Sequence, residues 1–290
     1  MDFRALASGI AFALIWSSAF SSARIIVLEA PPFTSLAIRF AISGSIGIAI
    51  AACLGQTIRL TRDQWRATAV FGTCQNAIYL GVNFVAMQWI AASLAAIIAS
   101  TMPLIVAFFN RVIFRERIGR MGAFGLIAGF LGVVLVVSDR LDASAELAGI
   151  VLCILGVLGL SIATLTVRNA VSGGNLLMIV GLQMLVGCAI LAVPAAIFET
   201  WNVEWSLKLG AAFAYSILVP GLIATWIWFQ LVDRVGATRA SAFHFLNPFF
   251  GVAVAAALLG ESMDLGDIGG VAVISAGILA VQLSKRKSTA

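Results

Sequence analysis

Charge is what this chain has least of. Only 11% of its 290 residues are charged, against 61% hydrophobic, and the mean hydropathy is +1.06. Soluble domains carry about 25% charged residues, so a water-soluble globule is excluded. Histidine occurs once, and none of the 13 acids lies centrally in an apolar block. One histidine without buried carboxylates makes no metal site or catalytic triad, which argues against an enzyme. The same scarcity supplies no charged ring for a channel and no central acid to neutralise a cationic drug. The cysteines, Cys53, Cys74, Cys153 and Cys188, lie in or at the ends of apolar blocks without metal-type spacing, and read as small apolar fillers. No cofactor is expected.

What is abundant is apolar sequence in long blocks with charges confined between them, the pattern of a multi-pass membrane protein. At roughly 20 residues per crossing, ten blocks are expected, near 5–27, 33–53, 67–87, 90–110, 119–138, 147–168, 175–198, 208–230, 236–259 and 265–284. The leader "MDFR" is uncharged overall and the first run is long, so it reads as a span rather than a cleaved signal peptide.

Alternating these blocks across a bilayer with the N-terminus in the cytoplasm sorts the charges. Arg4, Arg59, Arg62, Arg66, Arg111, Arg115, Arg117, Arg120, Arg168, Arg234, Arg239, Lys285, Arg286 and Lys287 all fall inside. Arg24, Arg140 and Lys208 fall outside, and Arg39 lies within the second block. This is the positive-inside bias. It places both termini in the cytoplasm of a cell (inner) membrane and makes the net charge of +5 a matter of orientation, with membrane lipid rather than nucleic acid as the partner.

A shift of 145 residues superimposes part of the chain on itself. Pro103 meets Pro248, Glu116 meets Glu261, Ala92 meets Ala237, Ala95 meets Ala240, Gly125 meets Gly270 and Gly132 meets Gly277. Five blocks per half is an odd number, so the second half must insert upside down. The connections agree: "RERIGR" at 115–120 is basic, whereas "GESMDLGD" at 260–267 is acidic. The expected organisation is therefore an all-α membrane protein of ten transmembrane helices, in two inverted-topology five-helix repeats (1–143 and 144–290) around a central cavity. Inverted repeats place a substrate site near the bilayer midplane and permit alternating access.

The paired Pro and Glu, the glycine-rich fifth and tenth blocks, "WSSAF" at 16–20 and "PPFTSLAIRF" at 31–40 resemble the drug/metabolite transporter superfamily, EamA type. Ser17 departs from that family's usual Gly, while Arg39 matches its Arg. The resemblance covers essentially the whole chain and is closest to the family's aromatic amino-acid exporters. It implies export of small amphipathic metabolites. Other readings stay open: a cationic-compound exporter, a channel, or a lipid scramblase.

Intramembrane polar residues supply the site candidates. In "TCQNAIYLGVNF" at 73–84, Asn76, Tyr79 and Asn83 fall on one side of a helix, with Gln75 adjacent. In "FHFLNPFFG" at 243–251, His244 and Asn247 precede Pro248. His244 can be a buried hydrogen-bonding group, a substrate contact or a proton carrier, and it is taken as cavity-lining. Pro103 and Pro248 each free the carbonyl four residues earlier and are candidate hinges. Trp16 and Trp226 are expected to wall the cavity with Tyr79, whereas Trp65, Trp89, Trp201 and Trp205 read as an interfacial belt. Arg24 and Arg39 can pair with a substrate carboxylate, but snorkelling to the outer interface is the expectation. Glu116 and Glu261 are expected to fix turns between consecutive spans. Small residues in the fifth and tenth blocks suit close helix packing, in a monomer or a weak homodimer.

Overall fold

The computed structural model describes residues 3–112, 119–138, 144–166, 175–236, 240–261 and 265–287. Every regular element among them is helical. The first helices are α1 (Phe3–Glu29) and α2 (Pro32–Cys53), separated by a Pro-Pro corner. Proline suits the start of α2 because the N–H it lacks has no partner in the first turn.

The third run changes type twice. α3 (Arg62–Phe71) opens with a capping box between Thr61 and Gln64, passes into a π-helical segment (Gly72–Leu80), and ends as α4 (Gly81–Ala86). Then follow α5 (Ala92–Ala99), α6 (Met102–Val112), α7 (Arg120–Ser138), α8 (Ser144–Thr166) and α9 (Leu176–Phe198). α10 (Leu207–Ser216), a second π-helical segment (Ile217–Ile223) and α11 (Ala224–Val235) again form one run. A 3₁₀ turn (Ser241–Leu246), α12 (Asn247–Leu259) and α13 (Leu265–Lys287) complete the chain. α12 stops at Gly260, whose φ of 67° is the left-handed conformation that closes a helix.

Among the described residues, six helical runs are long and apolar enough to cross a membrane: Phe3–Glu29, Pro32–Cys53, Ala92–Phe109, Glu146–Thr166, Leu176–Phe198 and Leu207–Val235. Three further apolar helices, Arg120–Val136, Asn247–Leu259 and Ile268–Val281, are shorter. Their outer faces are apolar too, as at Phe124 and Phe130 of α7, which are 69% and 67% exposed. Such a surface needs lipid to cover it.

The register of 145 recurs in the backbone. α3 starts at Arg62 and α10 at Leu207; the two π-helical segments start at Gly72 and Ile217; α6 and α12 start at Met102 and Asn247; α7 and α13 start at Arg120 and Leu265. The caps repeat as well. Thr61 accepts from the Gln64 N–H, and Ser206 accepts from that of Leu209.

Two pairs of glycine-bearing helices pack closely. On α7 and α13, a Cβ on Gly125 would lie 2.6 Å from the Gly277 carbonyl oxygen, and one on Gly132 would lie 3.0 Å from that of Gly270. On α2 and α9, Gly44 and Gly181 likewise face each other's carbonyls at 2.9 and 2.8 Å. Only glycine lets backbones approach this far.

Glu261 does not join consecutive spans as expected. Its carboxylate accepts the backbone N–H groups of Ala92 (2.9 Å) and Ser93 (3.0 Å), so it caps α5, a helix far away in sequence. The reason is electrostatic: the first N–H groups of a helix lack partners and attract an anion. Glu116 and Ala237 lie outside the described residues.

Candidate functional site

The two π-helical segments face a common centre, and Gln75, Asn76, Tyr79 and Asn83 of the expected polar residues are found there. A narrow cavity of about 30 Å³ is lined by Trp16 and Phe20 of α1, Arg39 of α2, Asn76, Tyr79 and Asn83 of the third run, and Pro220 and Thr225 of the eighth block, among others. That volume accepts roughly one or two waters. Wide π turns recur at functional sites, and here each segment turns residues of its run toward this cavity.

The side chains differ in what remains free. The Asn76 amide donates to the Gln183 backbone carbonyl (2.9 Å) and to the Gln183 side chain, tying the third run to α9. The Asn83 amide donates to the Tyr79 carbonyl (2.8 Å), and its oxygen accepts from the Cys153 thiol of α8 (3.3 Å). Both asparagines therefore hold helices together as well as lining the cavity. Trp16 and Tyr79 lie parallel, with ring centroids 6.3 Å apart and planes 4° from coplanar. Neither Trp16 Nε1 nor Tyr79 Oη makes a hydrogen bond of ordinary geometry, although both are buried. A buried polar atom without a well-formed hydrogen bond is costly, and both residues line the cavity.

Arg39 is not at the outer interface. It is 5% exposed, lines the cavity, and donates Nε to the Ser216 carbonyl at 3.1 Å. That carbonyl lies at the start of the π-helical segment that contains Pro220. One turn along α2, Ser43 Oγ donates to the next carbonyl, Ile217, also at 3.1 Å. Pro220 was not singled out from sequence, although a proline within an apolar block is the signal that marked Pro103 and Pro248.

His244 and Asn247 lie beside the cavity rather than on its wall. His244 is 1% exposed and packed edge-on against Phe12, Trp16 and Trp228, at centroid distances of 5.3, 6.0 and 5.3 Å. Its Nδ1 pairs with the Asn247 amide nitrogen at 2.8 Å. The carbonyl of Asn247 accepts from Ser17 Oγ (3.3 Å), which joins the break in the ninth block to α1. Trp226 is 41% exposed and outside the cavity lining, whereas Trp228 is buried in the aromatic cluster. Pro103 and Pro248 both sit at breaks. Helix α5 stops at Ala99 and resumes as α6 at Met102, and the 3₁₀ turn gives way to α12 at Asn247.

A second, open cleft of about 470 Å³ continues the line of the cavity. It is bounded by Val27, Glu29, Phe33, Gln88, Trp89 and Glu199, about one turn further along α1 and just past α4. Between the two spaces Arg24 donates to the Met87 carbonyl, so α1 and the end of α4 are closed on each other there. Trp65, Trp89, Trp201 and Trp205 are all exposed near helix ends.

Comparison with known proteins places this architecture. The EamA-like transporter family model matches twice, over residues 4–138 and 147–283. The chain belongs to that family, and so is a multi-pass membrane transporter rather than an enzyme. It is 25% identical to an uncharacterized transporter of Archaeoglobus fulgidus over 276 residues, covering 92% of this chain and 94% of that one. It is 20% identical to the uncharacterized transporter YvbV of Bacillus subtilis, over 96% and 91% of the two chains. A WAT1-related chloroplastic protein of Arabidopsis thaliana is 24% identical over 89% of this chain and 64% of its own length. A solved structure matches the fold over the full length of both chains, with a TM-score of 0.72 and 20% identity.

Proposed function

We propose that this transporter exports small amphipathic metabolites, foremost amino acids with aromatic or bulky apolar side chains, by alternating access around the central cavity. The observation that carries this reading is the Trp16–Tyr79 pair: two parallel rings whose polar atoms make no hydrogen bond of ordinary geometry, in a cavity that no Asp or Glu lines among the described residues. Aromatic walls bind an apolar body through area burial and stacking. A cationic-compound exporter fits less well, since among the described residues nothing anionic lines the cavity to meet the charge.

In this reading ten helical runs cross the inner membrane, both termini are cytoplasmic, and residues 1–143 and 144–290 are inverted repeats. Helix starts, π-helical segments and caps that recur at 145 support it, as do the two family matches. The breaks at Pro103 and Pro248 are the hinges, and His244 with Asn247 supports the substrate-facing ring of Trp16 from behind. The protein works as a monomer or weak homodimer. The open cleft beside Glu199 is the outer vestibule, separated from the closed cavity by the Arg24–Met87 contact.

The test is uptake of labelled phenylalanine by purified protein in liposomes, with and without a pH gradient. Saturable, stereoselective flux is the expected result. Flux that rises linearly with concentration, equal for both enantiomers, would point instead to a channel or scramblase.

A further inference from the structure

Arg39 is a buried cation with its Nε occupied and the rest of its fork unoccupied. The Nε bond to Ser216 accounts for a donor at this position. It does not account for a charge, because Ser43 performs the same task on Ile217 with a neutral hydroxyl. Among the described residues no carboxylate lines the cavity with Arg39, and its contact with an aromatic ring is to Phe40, 5.4 Å from the guanidinium carbon. A cation held within a membrane protein is costly and is found facing a partner or a pathway. Gln75, Tyr79 and Trp16 line the same small space, so a neutral set of hydrogen-bonding groups surrounds one positive fork.

We propose that Arg39 is the anion-reading residue of the cavity, so that the selected substrates are small aromatic or apolar carboxylates and the α-amino group of an amino acid is dispensable. This rests on the transporter reading above and narrows it. A guanidinium presents planar donors that match a carboxylate. A cavity of about 30 Å³ suits the head group of such a molecule, with opening of the site needed for its body. An ammonium finds no acid there and meets only amide and phenol oxygens.

The experiment uses the full-length protein in liposomes loaded with labelled phenylalanine, with phenylacetate, phenylpyruvate, phenethylamine and phenylalaninamide as competitors. Binding of the same four compounds is followed in detergent by tryptophan fluorescence. Phenylacetate and phenylpyruvate should compete within about tenfold of phenylalanine, and the two amines should be weaker by about ten- to a hundredfold, the loss of one hydrogen-bonded charge contact. Arg39→Gln retains a donor for Ser216 and should erase that difference, while Arg39→Lys keeps part of it. Equal competition by amines and carboxylates in the wild-type protein overturns the proposal, whether or not the variants fold. Carboxylate binding without flux leaves Arg39 in its role and sinks the export reading. Absence of both binding and flux overturns the two together.

Discussion

Phe33 and Met178 stand 145 residues apart and are held in the same way. The Phe33 N–H donates to the carboxylate of Glu199 at 2.7 Å, and the Met178 N–H donates to the side-chain oxygen of Gln56 at 3.0 Å. The end of α9 thus caps the start of α2, and the residues just after α2 cap the start of α9. The two helices run antiparallel and each closes the other's start, which agrees with the proposed inverted repeats.

The first prediction is therefore topological. In a cysteine-free background, Trp205→Cys should react with an impermeant maleimide on intact cells, and Arg59→Cys only after the membrane is opened. Both positions are exposed. Labelling of both from the same side would remove the inverted arrangement.

Tyr79→Phe should separate binding from folding. Because the buried hydroxyl makes no hydrogen bond of ordinary geometry, its loss should change the melting temperature little. The apparent KM for an aromatic substrate should rise about tenfold, the worth of one hydrogen bond to the ligand. An unchanged KM takes the hydroxyl out of recognition.

His244 is enclosed by three aromatic rings and bonded to Asn247, which suits a positioning residue better than a proton carrier. His244→Gln should lower transport through disturbed packing around Trp16, while leaving its response to a pH gradient as in the wild type. If the variant still exchanges substrate but no longer accumulates it under a gradient, His244 carries the proton after all.

The helix pair α7 and α13 should be sensitive to a single methyl group. A Cβ at residue 277 would lie 2.6 Å from the Gly129 nitrogen and 2.7 Å from the Gly125 oxygen, both backbone atoms. Gly277→Ala should destabilise by about 1–3 kcal/mol, seen as a lower melting temperature in detergent. Gly269→Ala, where nothing lies within 4 Å of the added atom, is the matched control and should be tolerated.

The parts legible in the sequence were those with a local chemical cause. Proline marked the breaks at 103 and 248 because it lacks a donor, and Asn76, Tyr79 and Asn83 marked a cavity face because lipid rejects them. The π-helical segments left no comparable mark: an i→i+5 turn changes the bond pattern, not the composition. Such a turn also shifts the helical phase, which hid that Trp228, and not Trp226, turns inward. Arg39 was misread for another reason. Its position in the second block allowed snorkelling, and only the Ser216 carbonyl, 177 residues away in sequence, shows what holds it inside.

Passage of substrate through this cavity is tested most directly at its wall. Ala19→Cys in the cysteine-free protein places a thiol on the cavity wall, and its alkylation can be timed in liposomes. The account predicts slow modification from either side of the membrane, retarded in proportion to occupancy by a transported aromatic carboxylate. A thiol that reacts at the same rate whether or not such a substrate is being carried contradicts it.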